Sequence, residues 1–167
     1  LGAPAEKISA HGNAKYDSLE TMAEPSTEKV VRRILNIDSF SPVFVAGSTR
    51  EGEEEMVLDA YEKILTDFPD IILIIAPRHV ERTGAVASLV AKRGIGYQLW
   101  SDLVSDKAVR TERVIIVNAF GELFKIYSVG TIVFCGASFV PLGGQNPLEP
   151  AAWGKAVFYG PSMEDFL

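Results

Sequence analysis

From Pro42 onward, short continuous runs of β-branched and aromatic residues alternate with longer segments of helical periodicity. The runs are VFVAG (Val43–Gly47), IILIIA (Ile71–Ala76), IGYQL (Ile95–Leu99), RVIIV (Arg113–Val117), TIVFCG (Thr131–Gly136) and AVFYG (Ala156–Gly160). A strand with one face in water alternates apolar and polar residues, whereas an unbroken apolar run belongs to a strand covered on both faces. Helical patterns at Glu51–Phe68, His79–Arg93, Gly121–Val129 and Asn146–Gly154 supply the covers. In the first of them Met56, Leu58, Tyr61, Ile64, Leu65 and Phe68 form the expected inward stripe. Strand–helix alternation with short links predicts an α/β fold: a Rossmann-like, doubly wound, parallel six-stranded sheet.

Ligands of such folds sit outside the C-terminal ends of the strands, at the point where strand order reverses. In the usual order of six strands that crevice lies between the first and the fourth. The turns after Gly47, Ala76, Val117 and Gly136 are therefore the ones to read for function. The long polar link from Leu99 to Arg113 reads as loop with one turn of helix. Residues 1–40 differ in character: Ile8–Asp17 suggests a short strand leaving another domain, and Glu24–Leu35 a helix opened by EPSTEK. Residues 41–167 form the sheet domain. The chain starts at Leu1 and ends at Leu167 as a new amphipathic segment begins, which reads as a piece of something longer.

Composition narrows the function classes. A formal net charge of −6 lacks the basic face of a nucleic-acid protein. One cysteine, Cys135, cannot close an internal disulfide and fits a reducing compartment. The longest apolar runs are too short to cross a bilayer, and no signal peptide is visible. No Gly-x-Gly-x-x-Gly or Gly-Lys-Ser/Thr motif follows the first strand, which disfavours a dinucleotide cofactor or a P-loop. Two histidines and one cysteine make a zinc site unexpected, and no Asp-x-Asp pair is present.

The four turns carry unusual residues, most of which have a structural reading beside the functional one. In AGSTREGEEE, Ser48 followed by Glu51 matches a capping box, and the acidic first turn suits the helix dipole. Arg50 opposes that dipole and is a candidate to meet a ligand phosphate. In APRHVER, Pro77 fixes the backbone and holds Arg78 near the strand end, where a planar guanidinium suits phosphate or carboxylate. His79 is a candidate base; for the turn as a whole, a solvated helix start with an Arg–Glu pair is the plainer reading. In NAFGELFKIY, Gly121 admits close backbone approach, and Glu122 is favoured by the dipole alone. In PLGGQNPLEPAAWGK, Asn146 is a good N-cap, Pro147 suits the first helical position and Glu149 sits at N3. Capping leaves Gly143–Gly144 unexplained. A carboxylate there can also accept from both hydroxyls of a ribose, and the spacing does not decide between the two roles.

Taken in order, GSTREGEEE, PRHVER, FGEL and GGQNPLEP resemble the C-terminal domain of 3-deoxy-D-manno-octulosonic acid (Kdo) transferases, and HGNAKYD resembles the crossover joining their two domains. The resemblance spans nearly the whole chain. It implies the C-terminal half of a GT-B glycosyltransferase, in which two Rossmann-like domains face across a cleft. The C-terminal domain would hold the donor, CMP-Kdo. The N-terminal domain would supply the lipid A precursor site, the membrane association and a glutamate base. By this resemblance Pro77, Arg78, Phe120, Gly121 and Glu122 contact CMP, and Asn146, Pro147, Leu148 and Glu149 close around it, with Glu149 on the ribose. Ser48, Arg50, Gly144 and Gln145 are candidates for phosphate or sugar contacts. The family usually has histidine where this chain has Gln145, glycine where it has Ala137, and often methionine at Phe120. Gln145 donates and accepts hydrogen bonds but carries no charge.

The implied reaction is inverting transfer of Kdo to a lipid A precursor at the cytoplasmic face of a bacterial inner membrane, in lipopolysaccharide synthesis, with no cofactor or metal. These residues alone, lacking the base, are expected to bind CMP weakly and transfer nothing. The alternatives are a GT-B transferase using a UDP-sugar, and a non-catalytic Rossmann-like binding module. A side surface including Trp153 and Phe166 is expected where a further domain would pack.

Overall fold

The computed structural model describes Pro4 and residues 23–166, so the expected strand and crossover at Ile8–Asp17 lie outside the described residues. Six parallel strands form one sheet: β1 (Val43–Thr49), β2 (Ile72–Pro77), β3 (Tyr97–Leu99), β4 (Val114–Ile116), β5 (Ile132–Cys135) and β6 (Ala156–Tyr159). The helices are α1 (Pro25–Leu35), α2 (Glu53–Ile64), α3 (Thr83–Lys92), α4 (Trp100–Val104), α5 (Leu123–Tyr127) and α6 (Leu148–Ala152), with single 3-10 turns at Val80–Arg82 and Glu164–Phe166.

Residue parity along β1 separates the two faces. Val43 and Val45 join Ile74, Ile115 and Val133 beneath α1, α4 and α5, which contribute Val31, Leu35, Trp100, Leu103, Ile126 and Tyr127. Phe44 and Ala46 join Leu73, Ile75 and Ile116 beneath α2 and α3, which contribute Val57, Leu58, Tyr61, Val86 and Val90. Each fully buried aliphatic side chain of this kind stabilises the fold by about 1.5–3 kcal/mol against solvent exposure. The two-sided burial expected of the apolar runs holds for the inner strands β1, β2, β4 and most of β5, but not for the edge strands β3 and β6, where Tyr97, Phe158 and Tyr159 are exposed.

The strand order is β3-β4-β2-β1-β5-β6, which corrects the expected position of the crevice. Order reverses between β1 and β5, not between the first and fourth strands. The cause is the character of β3. It is three residues long, its Tyr97 is partly exposed, and Gln98 spends its side chain on the 109–112 backbone. Such a strand belongs at an edge. The wholly buried Val114–Ile116 takes the inner place beside β2.

The stripe expected on α2 also needs correction. β1 runs on to Thr49, and Gly52 at φ 89° delays the helix to Glu53. Val57, Leu58 and Tyr61 therefore face inward, with Ile64 and Leu65 packed against them, while Met56 and Phe68 are more than half exposed. The polar link after Leu99 does contain a turn of helix, α4. Trp153, expected on an open surface, is packed against the α5 side of the core and donates its indole N–H to the Phe124 carbonyl (2.8 Å).

Candidate functional site

The expected turns emerge at one edge of the sheet, beyond the C-terminal ends of β1, β2, β4 and β5. A shallow depression of about 90 Å³ lies there, lined by Ser48, Pro77, Arg78, Phe120 and Gly121 together with the floor residues Ala76 and Val117. Beside it, over β5 and β6, stands the second half of the site: the Gly143–Gly144 turn and α6. The depression does not extend to Asn146, Pro147, Leu148 or Glu149. Ser48, in the lining of the depression, lies against Gly136 at the end of β5, where the order reverses.

Pro77 closes β2 by pairing with Thr49, and the Arg78 amide donates to the Thr49 carbonyl (3.0 Å), so the backbone at Arg78 is pinned. The Arg78 side chain is exposed and makes no ion pair among the described residues. A cation held by its backbone and unpaired at its tip is suited to an anionic ligand. Arg82, by contrast, is committed: its guanidinium pairs with the fully buried Glu54 (3.0 Å) and with Glu51 (3.3 Å). Arg50 reaches across to His79, whose Nε2 accepts from Nη1 at 2.6 Å, while Arg50 Nε is buried without a partner. Arginine only donates, so His79 carries its proton on Nδ1 in this arrangement.

Ser48 does not cap α2. It sits at φ 56°, and the helix begins at Glu53 with no side-chain cap from its first residue. Thr49 donates its hydroxyl to Glu54 instead (3.1 Å). The strained Ser48 backbone lies beneath Gly136, where any Cβ would meet the Ser48 carbonyl. That close approach of β1 and β5 requires glycine.

Phe120 is 88% exposed beside Gly121, which takes φ 79°. Glu122 is less free than the sequence suggests. Its Oε2 accepts from the indole N–H of buried Trp100 (2.6 Å) and from Lys125 (2.7 Å). That leaves the backbone of Gly121 and Glu122, rather than the carboxylate, to offer hydrogen bonds to a ligand.

Around α6 the capping expectation is displaced by one residue: Pro147 rather than Asn146 stands at the N-cap, with no side-chain cap bond. Asn146 Oδ1 accepts from the Leu148 amide (3.0 Å), and Pro147 has helical φ and ψ one residue before the hydrogen-bonded helix. Asn146 Nδ2 reaches Glu149 Oε1 (3.3 Å), while Glu149 Oε2 accepts no hydrogen bond among the described residues. The Asn146 side chain thus engages one oxygen and leaves one. Gly143 and Gly144 take φ 76° and 82°, the conformation that explains both glycines. The Gly144 amide donates to Ala137 (2.9 Å), and Gln145 turns its amide onto the Gly144 carbonyl (3.0 Å).

Beneath Glu149 lie two buried groups that sequence reading passed over. The Cys135 thiol donates weakly to the Asn146 carbonyl (3.9 Å), and its pKa is pushed up to about 12, first by burial and then by the Glu149 charge. The Tyr127 hydroxyl is raised well above its ordinary value by burial, with Cys135 and Glu149 adding to it. Its ring crosses β1 at Gly47, filling the space a Cβ there would need. No local pattern marks either residue as part of the site; only the fold brings them under α6.

A larger groove of about 340 Å³ runs along α2 over β5 and β6, lined by Phe44, Met56, Phe134, Phe139, Phe158 and Tyr159. Its apolar lining offers nothing to hold a phosphate. Among the described residues, no three His, Cys, Asp or Glu side chains converge to hold a metal ion, and no helix is long and apolar enough to cross a membrane.

No family model matches the chain. Curated relatives do. A bifunctional glycosyltransferase/methyltransferase of Fusobacterium nucleatum is 38% identical over 161 residues, covering 96% of this chain and 24% of that protein. The 3-deoxy-D-manno-octulosonic acid transferase of Haemophilus influenzae is 34% identical over 170 residues, covering 99% of this chain and 38% of that protein. The transferase of the same name from Aquifex aeolicus is 38% identical over 117 residues, covering 70% and 31%. The chain therefore spans between a quarter and two fifths of the length of these relatives. Among solved structures, the C-terminal CMP-Kdo binding domain of WaaA from Acinetobacter baumannii superposes with a TM-score of 0.72 at 23% identity, covering 89% of this chain and 74% of that one. The chain is thus homologous in sequence to part of the 3-deoxy-D-manno-octulosonic acid transferases and shares the fold of that C-terminal domain.

Proposed function

We propose that the chain is the donor-binding domain of an inverting Kdo transferase, holding CMP-Kdo at the C-terminal edge of the sheet. One observation carries the reading: a backbone-pinned cation at Arg78, unpaired among the described residues, and a half-engaged carboxylate at Glu149 flank the point where strand order reverses. The phosphate goes to Arg78 and to the backbone at Gly121–Glu122, and Pro77 and Phe120 form the wall of the depression. Arg50 and Ser48 stand nearest the donor's sugar acid. Asn146, Pro147 and Leu148 shape the turn, and the free oxygen of Glu149 accepts from the ribose hydroxyls. Gly144 and Gln145 complete the rim.

In the reaction an acceptor hydroxyl on a lipid A precursor attacks the anomeric carbon of Kdo. The new carbon–oxygen bond forms as the bond to the phosphate oxygen breaks, and CMP leaves with its charge held by Arg78. Removal of the hydroxyl proton falls to a base outside these residues, so the 167 residues alone bind donor and transfer nothing. No cofactor or metal is assigned.

Calorimetry with CMP and UMP, on the wild type and Glu149→Ala, tests this. The wild type binds CMP, prefers it to UMP, and Glu149→Ala weakens CMP by roughly tenfold or more, the worth of a charged hydrogen bond lost. Equal binding of UMP points to a UDP-sugar donor. Unchanged CMP binding by Glu149→Ala removes the ribose role.

A further inference from the structure

We infer that Glu53 is a positioning residue for the nucleotide site, a buried carboxylate that ties the turn after β1 to the turn after β5 and through it sets the glycine turn before α6. The inference deepens the proposed donor site and rests on that reading for its functional consequence. Glu53 is fully buried and has no cation partner among the described residues. Its Oε2 accepts from the amides of Arg50 (2.9 Å) and Ala137 (2.7 Å). Its Oε1 accepts from Ser138 (2.9 Å) and Phe139 (3.0 Å). Four backbone donors on one carboxylate is the coordination an anion-binding nest provides, and here the protein fills the nest with its own side chain.

The consequence extends beyond the contact. Ala137, held at φ 57° by this arrangement, presents its carbonyl to the Gly144 amide (2.9 Å). Ser138 presents its hydroxyl to the Gly160 amide (2.8 Å) and its carbonyl to that of Ser162 (2.9 Å). Ser162 in turn accepts from the Gly143 amide (3.0 Å). The Gly143–Gly144 turn is therefore suspended from the 137–139 segment, and that segment from Glu53. Arg50 starts from the same carboxylate. A nest already occupied also cannot serve the donor phosphate, which directs the phosphate toward Arg78.

Glu53→Gln is the informative change. It keeps one acceptor oxygen and turns an NH2 group toward two N–H donors, at nearly constant volume. The expected result is an unchanged far-UV circular dichroism spectrum, displaced amide resonances of Gly144 and Asn146, and CMP affinity lower by about tenfold or more. Leu58→Ala, a core truncation on the same helix, should lower stability while leaving those resonances and the affinity near wild type. Unmoved Gly144 and Asn146 resonances in Glu53→Gln, or equal displacement in Leu58→Ala, would overturn the inference. If Glu53→Gln does not fold, hydrogen exchange on the wild type decides. Ala137, Ser138, Phe139 and Gly144 should open as one unit, and Gly144 exchanging independently and faster overturns the link. Failure of the wild type to bind CMP would sink the proposed function but leave the resonance and exchange results to judge the clamp.

Discussion

Arg78 and Arg82 stand four residues apart in one turn, and the structure assigns them opposite consequences. Arg82 is the charge partner of Glu54, whose side chain is fully buried and, among the described residues, otherwise receives only the Thr49 hydroxyl. Replacing Arg82 with methionine preserves the stem and strands that carboxylate. Breaking a buried pair from one side costs about 3–5 kcal/mol, and water reaching the partly exposed Arg82 position reduces this to roughly 2–3 kcal/mol. For a domain of this size that is a fall in Tm of about 4–12 °C. Glu54→Gln in the Arg82→Met background should restore much of the loss, because a neutral amide still accepts from Thr49 and leaves no charge unpaired. CMP affinity should stay within about twofold in Arg82→Met, since its guanidinium is spent on Glu51 and Glu54. Arg78→Ala should do the reverse: stability within about 0.5 kcal/mol, and CMP affinity lower by roughly ten- to a hundredfold. Urea titration and calorimetry on the three variants read both quantities. An Arg82→Met midpoint equal to wild type, or a loss of CMP affinity as large as that of Arg78→Ala, refutes the division of roles.

Alkaline stability reports on the buried thiol. An unfolded Cys135 ionises near its ordinary 9.0 and the folded one near about 12, so the contribution is fully present below pH 9 and is lost as pH rises towards 12. Its size is on the order of 4 kcal/mol at most, and Tyr127 acts in the same direction. Cys135→Ala should therefore melt with a shallower decline than wild type across that window, and parallel melts would contradict the buried placement. Trp100→Phe removes the indole N–H from Glu122 and should cost about 1–2 kcal/mol in urea, whereas Lys125→Ala, whose side chain is 35% exposed, should cost under about 1 kcal/mol.

The sheet was legible because apolar runs alternate with helical stretches, although the two-sided burial read from those runs is met by the inner four strands and not by the edges β3 and β6. The order was not, since it depends on how well each strand tolerates an edge, and Tyr97–Leu99 gave up the interior to Val114–Ile116. Candidate residues held in place by local chemistry were also visible: Asn146 accepts from the Leu148 amide at the turn into α6, one residue before the N-cap, the position expected of it, and Arg78 follows a proline paired at the strand end. Glutamates were the hard class. Glu53, Glu54 and Glu122 look alike as acidic residues near helix starts. Their fates were settled by partners 84 residues away at Ala137, 28 at Arg82 and 22 at Trp100. No window of local pattern contains such a partner.

One small vacancy has a long reach. Because Gly47 offers no side chain, the phenol of Tyr127 crosses the first strand and comes within reach of the Glu149 charge on α6. Positions 47 and 127 therefore form a matched set: a methyl at one demands a smaller ring at the other. Relatives that share this architecture should be found to vary the two together or not at all, and grafting either alone into a new background would unseat the floor on which the carboxylate rests.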